Sequence, residues 1–130
     1  MIYGVGTDVV EIARIEQALQ RFGERFAERI LCQSELQRFS AHRQPAAYLA
    51  KRFAAKEAFT KALGTGIHAP ANWHGVWVTN LPSGKPVLEF SEPLKSLLSR
   101  RGVSGSHLSL TDERGIAMAT VILECGERHV

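Results

Sequence analysis

The sequence has few cysteines, and the two that it has are far apart. Cys32 and Cys125 form no Cys-x-x-Cys motif and lack the density of a disulfide-rich secreted domain, which argues against a disulfide scaffold and a cysteine zinc site. No apolar run is long enough to span a bilayer. The first residues include Asp8 and Glu11 and lack the basic and then apolar order of a signal peptide. We therefore expect a protein of the reducing cytoplasm with no membrane span.

The sequence also lacks internal repeats, low-complexity tracts and linkers long enough to separate two domains. Its 130 residues are 45% hydrophobic and 22% charged, which is typical of a globular domain with its own core. We predict one domain over residues 1–130. The net charge of +3 favours an anionic partner such as nucleic acid, an acidic protein or a phosphate-rich small molecule, and charge alone does not choose among them.

The N-terminal segment predicts a strand followed by a helix. Residues 2–5 have the pattern of a short strand, and Gly4 and Gly6 are expected to loosen the backbone just before Asp8.

The following region predicts an amphipathic helix that Gly23 bends or breaks. Its apolar residues recur every three or four positions and form one stripe: Ile12, Ile15, Leu19, Phe22, Phe26 and Ile30. We expect Phe22 and Phe26 to belong to the core.

Two further helices are predicted before the middle of the chain. Ser34 followed by Gln37 has the pattern of a capping box that opens a short helix, and Pro45 separates it from the next one. That next helix should cover residues 46–63 and end at Gly64 in a left-handed conformation. Four alanines fall on one of its sides and would let another element approach closely: Ala50, Ala54, Ala58 and Ala62.

The second half predicts two β-hairpins separated by a short helix. In each hairpin two apolar segments flank residues typical of turns: residues 76–78 and 87–90 flank 82–86, and residues 107–110 and 116–123 flank 112–115. Ser91 can cap the helix between them, which should end before Gly102. This order predicts an α+β fold in which an antiparallel sheet packs against helices.

Two acidic residues could carry chemistry, although each has a purely structural interpretation. Asp8 lies at the predicted junction of strand and helix, where Asp8 and Glu11 fit a capping box. Glu57 lies mid-helix on the same side as Phe53 and Lys61, and an exposed Glu57–Lys61 ion pair would account for it. From the residues alone, the structural interpretations are favoured.

Two long motifs nevertheless resemble those of one family. They are GTDVVEIARIE over residues 6–16 and RFAAKEAFTKALGTG over residues 52–66. Together with RFAERIL over residues 25–31, the Ser34-Glu35 pair, the Gly-Lys-Pro turn and the closing hairpin, they resemble the holo-acyl-carrier-protein synthases, the small phosphopantetheinyl transferases. The resemblance covers nearly the whole chain. It implies a phosphopantetheinyl transferase-like fold and a homotrimer with active sites between subunits.

The resemblance also implies a reaction, which belongs to fatty acid biosynthesis. A serine hydroxyl of an acyl carrier protein would attack the β-phosphate of coenzyme A, and adenosine 3′,5′-bisphosphate would leave. Asp8 and Glu57 would bind Mg²⁺, which takes one or two protein carboxylates besides substrate phosphates. Either Glu57 or a metal-bound water would take the serine proton, and the sequence leaves both open.

Coenzyme A contacts are implied as well. Lys61 would offer a point charge to a phosphate, and Gly64 would let the nucleotide approach the backbone closely. Arg52, Lys85 and His107 are further candidates for the region of the 3′-phosphate or the adenine. For these three residues, a role in the solvated surface or in a turn is an equal alternative.

Three arginines could form a docking surface. Arg14, Arg21 and Arg25 fall within a narrow arc of the predicted helix, beside its apolar stripe. Their simplest interpretation is a solvated helix face. The resemblance instead favours docking of an acidic helix of the carrier protein, which should weaken with salt.

One residue departs from the pattern of the family. Many relatives have a histidine after the Ser or Thr that ends the penultimate strand, whereas this chain has Asp112 after Thr111. We expect Asp112 to begin the turn and not to bind metal.

Two other functions agree less well with the sequence. A small basic nucleic-acid-binding module is disfavoured, because the two tryptophans do not alternate with basic residues on a strand. A catalytically silent assembly subunit is disfavoured by the presence of both Asp8 and Glu57.

Overall fold

The computed structural model describes residues 1–126, which form alternating groups of strands and helices. In chain order the elements are β1 (Ile2–Glu11), α1 (Ile12–Phe22), α2 (Glu24–Ile30), α3 (Gln33–Ala41), α4 (Pro45–Leu63), β2 (Val76–Asn80), β3 (Pro86–Phe90), α5 (Glu92–Arg100), β4 (Val103–Glu113) and β5 (Ile116–Cys125). Strands β1, β5 and β4 form an antiparallel sheet with β5 in the centre, and β2 pairs with β3. The predicted α+β class is confirmed. Over this described range, every helix is too short or too polar to cross a bilayer.

Strand β1 is longer than predicted and contains Asp8. It pairs with β5 as far as Glu11, which lies opposite Ile116, so the predicted strand end before Asp8 is wrong. Glu11 is the N-cap of α1 and makes no side-chain cap bond, so the Asp8–Glu11 capping box is also wrong. The reason is that pairing with β5, which is distant in sequence, satisfies the backbone groups of this segment.

Gly4 and Gly6 allow β1 to pack directly against α4. A Cβ atom added to Gly6 would overlap the carbonyl oxygen of Ala58, and one added to Gly4 would overlap that of Ala62. This confirms the expected close approach to the alanine side of the helix. The two glycines are therefore packing residues of a strand, and not the loosened backbone that the sequence suggested.

We expect Gly6→Ala to destabilise the fold by about 2 kcal/mol or more, because the new methyl group would overlap the backbone of α4. Equilibrium unfolding in denaturant measures this. Gly126→Ala is the matched control, since its Cβ would meet nothing within 4 Å. Equal stability of the two variants would contradict the packing of β1 on α4.

The predicted amphipathic helix is divided at Gly23, whose φ is +68°. Phe26 on α2 is half-buried against the core cluster around Ile15, as expected. Phe22 is 55% exposed, so its assignment to the core is wrong. The physical reason is that α1 ends at Phe22. The predicted apolar stripe assumed one continuous helix, and Gly23 interrupts that helix.

Helix α3 has a different cap from the predicted one. Its N-cap is Cys32, whose backbone N–H donates to Oε1 of Glu35 at 2.9 Å. Ser34 already lies inside the helix, so the predicted Ser34–Gln37 capping box is wrong. Glu35 lies at the third position of the helix and can accept this bond because Lys56 and Val78 hold its carboxylate in the interior.

Glu35 and Lys56 form a buried ion pair that the sequence did not predict. Lys56 is fully buried, and its Nζ donates to Glu35 Oε1 at 2.8 Å, to the carbonyl of Ile30 at 2.6 Å and to that of Trp73 at 2.7 Å. The second carboxylate oxygen of Glu35 accepts from the backbone N–H of Val78 at 2.9 Å. All three ammonium donors are satisfied, which makes burial of the charge tolerable. The network ties α2, α3, the segment after α4 and β2 to the middle of α4.

The end of α4, the first hairpin and α5 follow the prediction. Gly64 ends α4 with φ of +86°, and β2 and β3 form the expected antiparallel pair. The Oγ of Ser91 accepts from the backbone N–H of Leu94 at 3.4 Å at the start of α5, which ends before Gly102.

The closing hairpin has a tighter turn than predicted. Arg114 and Gly115 have φ of 50° and 79°, which is typical of a two-residue turn of type I′. Asp112 therefore lies in β4 opposite Ala117, and its assignment to the start of the turn is wrong. Its carboxylate is engaged instead by Lys51 on α4, at 3.1 Å.

Candidate active site

Asp8 and Lys61 meet where β1 packs on α4. Asp8 lies on the face of β1 that turns towards the helix, since the preceding Gly6 is buried whereas Val9 on the other face is 55% exposed. The Nζ of Lys61 donates to Asp8 Oδ1 and to the carbonyl of Thr7, each at 3.0 Å. Tertiary packing thus brings together two charged groups that are 53 positions apart in sequence.

Glu57 lies one helical turn before Lys61 on α4. Partial burial raises the pKa of Glu57 above the usual range of a glutamate, the Asp8 carboxylate raises it further, and Lys61 acts in the opposite direction. The two carboxylates therefore share one electrostatic environment. Lys61 pairs with Asp8 and not with Glu57, so a local Glu57–Lys61 ion pair does not account for Glu57.

Two adjacent carboxylates suit a divalent cation that needs few protein ligands. Within residues 1–126, no cluster of three or more histidine, cysteine, aspartate or glutamate side chains is present. Mg²⁺ commonly uses one or two carboxylates and completes its shell with water and phosphate oxygens. A cation between Asp8 and Glu57 would also relieve the repulsion that raises the pKa of Glu57. This donor set fits Mg²⁺ together with a phosphate-bearing ligand.

Arg52 lies in a basic pocket of about 810 Å³ between α3, α4 and the turn of the β2–β3 hairpin. Its guanidinium lies 4.2 Å from the ring centre of Tyr48, and its Nη2 donates to Asn80 Oδ1 at 3.2 Å. Arg38 donates to the same oxygen at 3.2 Å, and Lys51 also lines the pocket. Arg52 is 5% exposed, and its buried Nε has no hydrogen-bond partner in the described part of the chain. Such an N–H group in a cationic pocket suits an anion.

The sequence did not identify Arg38, Tyr48 and Asn80 as members of this pocket. The spacing of four between Tyr48 and Arg52 on one helix was the only local signal available. Arg38 and Asn80 come from α3 and β2, so only the tertiary structure brings them to Arg52.

The remaining coenzyme A candidates lie in different parts of the chain. Gly64 ends α4 directly after the turn that carries Lys61. Lys85 belongs to the exposed end of the β2–β3 turn. His107 lies in β4, where its Nε2 is 2.9 Å from Glu124 Oε2. Within one chain, the hydrogen bonds of Lys85 and His107 therefore involve neither β1 nor α4.

The three docking arginines are exposed, as a docking surface requires. Arg14 and Arg21 are seven residues apart on α1 and so share one side of it. Arg25 belongs to α2, beyond Gly23, so its alignment with the other two no longer follows from helical spacing. We call Arg14, Arg21 and Arg25 the arginine surface.

Comparison with known proteins shows similarity over almost the whole chain. The family model of the 4′-phosphopantetheinyl transferase superfamily matches residues 4–121. The holo-[acyl-carrier-protein] synthase of Azoarcus sp. (strain BH72) is 52% identical over 124 residues, which are 95% of this chain and 98% of the relative. The crystal structure of the Neisseria meningitidis synthase matches with a TM-score of 0.93 and 43% identity, over 95% of this chain and 99% of that one. The Bacillus anthracis synthase in complex with CoA (3′,5′-ADP) matches with a TM-score of 0.81 and 35% identity, over 97% and 99%.

Proposed function

The chain belongs to the holo-[acyl-carrier-protein] synthase family of 4′-phosphopantetheinyl transferases, and we propose that it transfers phosphopantetheine from coenzyme A to a serine of apo-acyl carrier protein. The observation that carries the proposal is the shared environment of Asp8 and Glu57 at the contact of β1 and α4. Adenosine 3′,5′-bisphosphate would be the second product. Mg²⁺ as cofactor and a place in fatty acid biosynthesis belong to the same proposal.

The proposed chemistry assigns a separate task to each charged residue of the site. Asp8 and Glu57 would hold Mg²⁺, which when bound offsets negative charge on the pyrophosphate. Lys61, with 54% of its side chain exposed, can move from Asp8 to a phosphate oxygen as a compact point charge. The serine proton would pass to Glu57, directly or through one water. The close packing of β1 on α4 fixes the positions of Asp8, Glu57 and Lys61 relative to one another.

We propose that the pocket of Arg52 receives the 3′-phosphate of coenzyme A. The support is its buried N–H without a partner and the nearby charges of Arg38 and Lys51. Within one chain, Arg52 contacts Tyr48 and Asn80 rather than the residues around Lys61. A site between subunits would let the carboxylates of one chain and the pocket of another hold opposite ends of the donor.

The outer face of the three-stranded sheet supports such an assembly. It carries apolar side chains that are 41–55% exposed: Val5, Val9, Ile116 and Met118. Several large apolar side chains exposed on one face of this kind mark an interaction surface. We propose that it is covered in a homotrimer, with active sites at the subunit boundaries.

Arg52→Gln is expected to raise the KM for coenzyme A about tenfold or more, because it removes a charged contact to the 3′-phosphate. Dephospho-coenzyme A, which lacks that phosphate, should be used equally well by both proteins.

If sites are shared between subunits, mixed trimers of Arg52→Gln and Glu57→Gln chains should regain part of the activity that each lacks alone. No recovery in trimers shown by mass to be mixed would contradict the shared site.

The proposed activity has a direct test. Purified protein, coenzyme A, Mg²⁺ and an apo-carrier protein are mixed, and the carrier is weighed by mass spectrometry. An increase equal to one phosphopantetheine group is expected, and an unchanged mass would contradict the proposed function.

We also propose a cytoplasmic location, consistent with the free thiols of Cys32 and Cys125, and cell fractionation tests it.

A further inference from the structure

Phe22 is exposed at the C-terminal end of α1, next to Arg21 of the arginine surface. The other large apolar residues exposed in the described range lie on strands, at the N-terminus or in the β2–β3 turn: Met1, Ile2, Val5, Val9, Leu81, Ile116 and Met118. Phe22 is therefore the one such residue on a helix within residues 1–126. No packing requirement of the single chain explains an aromatic ring at this position.

The ring is held in place by its neighbours. The guanidinium carbon of Arg21 lies 5.1 Å from the ring centre of Phe22, a cation–π contact. Gly23 follows with φ of +68° and ends the helix, so the ring projects from the last residue of a regular helix. A side chain that is already ordered loses less conformational entropy when a partner covers it.

Exposed residues of both charge signs lie on the two helices that meet beside this ring. Glu24 and Glu28 of α2 line the pocket between α2, α3 and β2, and Glu16 of α1 lines a pocket beside the start of α4. Arg14, Arg21 and Arg25 line neither of these two pockets. The surface at Phe22 combines an aromatic ring with the guanidinium of Arg21, and aromatic residues and arginine are enriched in protein–protein interfaces.

We infer that Phe22 is the apolar anchor of the docking surface, and that its partner is an amphipathic acidic helix of the carrier protein. The inference rests on the proposed function, which supplies the carrier as substrate. Carboxylates of the helix would meet the arginines, while the ring would be buried among apolar side chains of the same helix. The arginines would speed encounter and set orientation, and the buried ring would slow dissociation.

These two contributions respond differently to salt. Attraction between exposed charges is screened at high ionic strength, because the Debye length falls to about 8 Å at physiological salt and shortens further above it. Burial of an aromatic ring is not screened by salt. The effect of a Phe22 variant should therefore persist at salt concentrations at which the effect of an arginine variant has faded.

The experiment measures transfer kinetics with an apo-carrier protein at low and high salt. Phe22→Ala is expected to raise the KM for the carrier about tenfold at both concentrations, with kcat and the KM for coenzyme A unchanged. Arg14→Glu should raise the KM for the carrier at low salt and lose most of that effect at high salt. Phe22→Leu should recover part of the affinity, and Gln20→Ala, on another side of α1, should behave like the unaltered protein.

The outcomes separate the inference from the proposed function. If Phe22→Ala leaves the KM for the carrier unchanged while Arg14→Glu raises it, Phe22 is not an anchor and the proposed function stands. If Phe22→Ala lowers Tm or raises the KM for coenzyme A as well, its role is structural and the inference is wrong. If the unaltered protein transfers nothing to any carrier, the proposed function itself fails.

Discussion

Glu57→Gln is expected to reduce kcat for phosphopantetheine transfer at least about 100-fold while the protein stays folded. The variant replaces one of the two carboxylates that share the β1–α4 site with a neutral amide, which is a poor ligand for Mg²⁺ and a poor base. Asp8→Asn should act in the same direction. Transfer rates at saturating coenzyme A and carrier, followed by mass spectrometry, measure the effect.

Thermal stability provides the internal control for this variant. Burial and the Asp8 carboxylate raise the pKa of Glu57 above its value in the unfolded chain, so the folded state favours the protonated form. As pH rises through the folded-state pKa, ionisation of Glu57 therefore lowers the free energy of unfolding. A neutral glutamine removes this penalty, so Tm in the absence of Mg²⁺ should be unchanged or higher.

Glu92→Gln is the matched comparison, because Glu92 lies on α5 with 88% of its side chain exposed. It should retain the transfer rate of the unaltered protein. Full activity of Glu57→Gln would remove Glu57 from the mechanism. A marked fall in the Tm of Glu57→Gln would mean that any loss of rate comes from unfolding instead.

Lys56→Met is expected to lower the free energy of unfolding by about 3–5 kcal/mol, because it leaves the Glu35 carboxylate in the interior without its counter-charge. Two further groups, the carbonyls of Ile30 and Trp73, would lose their donor at the same time. Methionine has a similar length to lysine, so the loss reports on charge and hydrogen bonding more than on volume. Equilibrium unfolding in denaturant measures it.

A second substitution tests the cause. In the double variant with Lys56→Met and Glu35→Gln neither charge of this pair remains in the interior, and the amide oxygen can still accept from Cys32 or Val78. Part of the lost stability should return. Lys95→Met is the control on the surface, since its pair with Glu92 is exposed, and it should change stability by less than about 1 kcal/mol. A Lys56→Met protein as stable as the unaltered chain would show that the buried pair contributes little.

The accuracy of the sequence predictions depended on how far apart the interacting residues lie in the chain. The end of α4 at Gly64, the cap of α5 at Ser91 and both hairpins follow from neighbouring residues, and all are confirmed. The end of β1 and the place of Asp112 were wrong. The end of β1 depends on pairing with β5, which no local pattern near Asp8 specifies. The place of Asp112 is an exception, because it was missed for a local reason: the turn has two residues where the sequence suggested four.

The same distinction applies to the candidate site. The motifs around Asp8 and Glu57 were recognisable in the sequence, and the alanine side of α4 indicated that another element would approach it closely. Helical spacing predicted an ion pair between Glu57 and Lys61, whereas in the structure Lys61 forms its ion pair with Asp8. An ammonium on a flexible side chain pairs with whichever carboxylate the packing of β1 brings nearest.

By itself, the sequence determined the fold class, the extent of α4 and the family resemblance, and it supplied Asp8 and Glu57 as candidate metal ligands, because each depends on neighbouring residues or on a long motif. Only the tertiary structure decided the buried Lys56–Glu35 pair, the pocket around Arg52 and the exposure of Phe22. Each of these depends on distances between segments that are far apart in the chain. Those distances are set by the packing of β1, α3 and β2 around α4, which periodicity and capping rules do not encode.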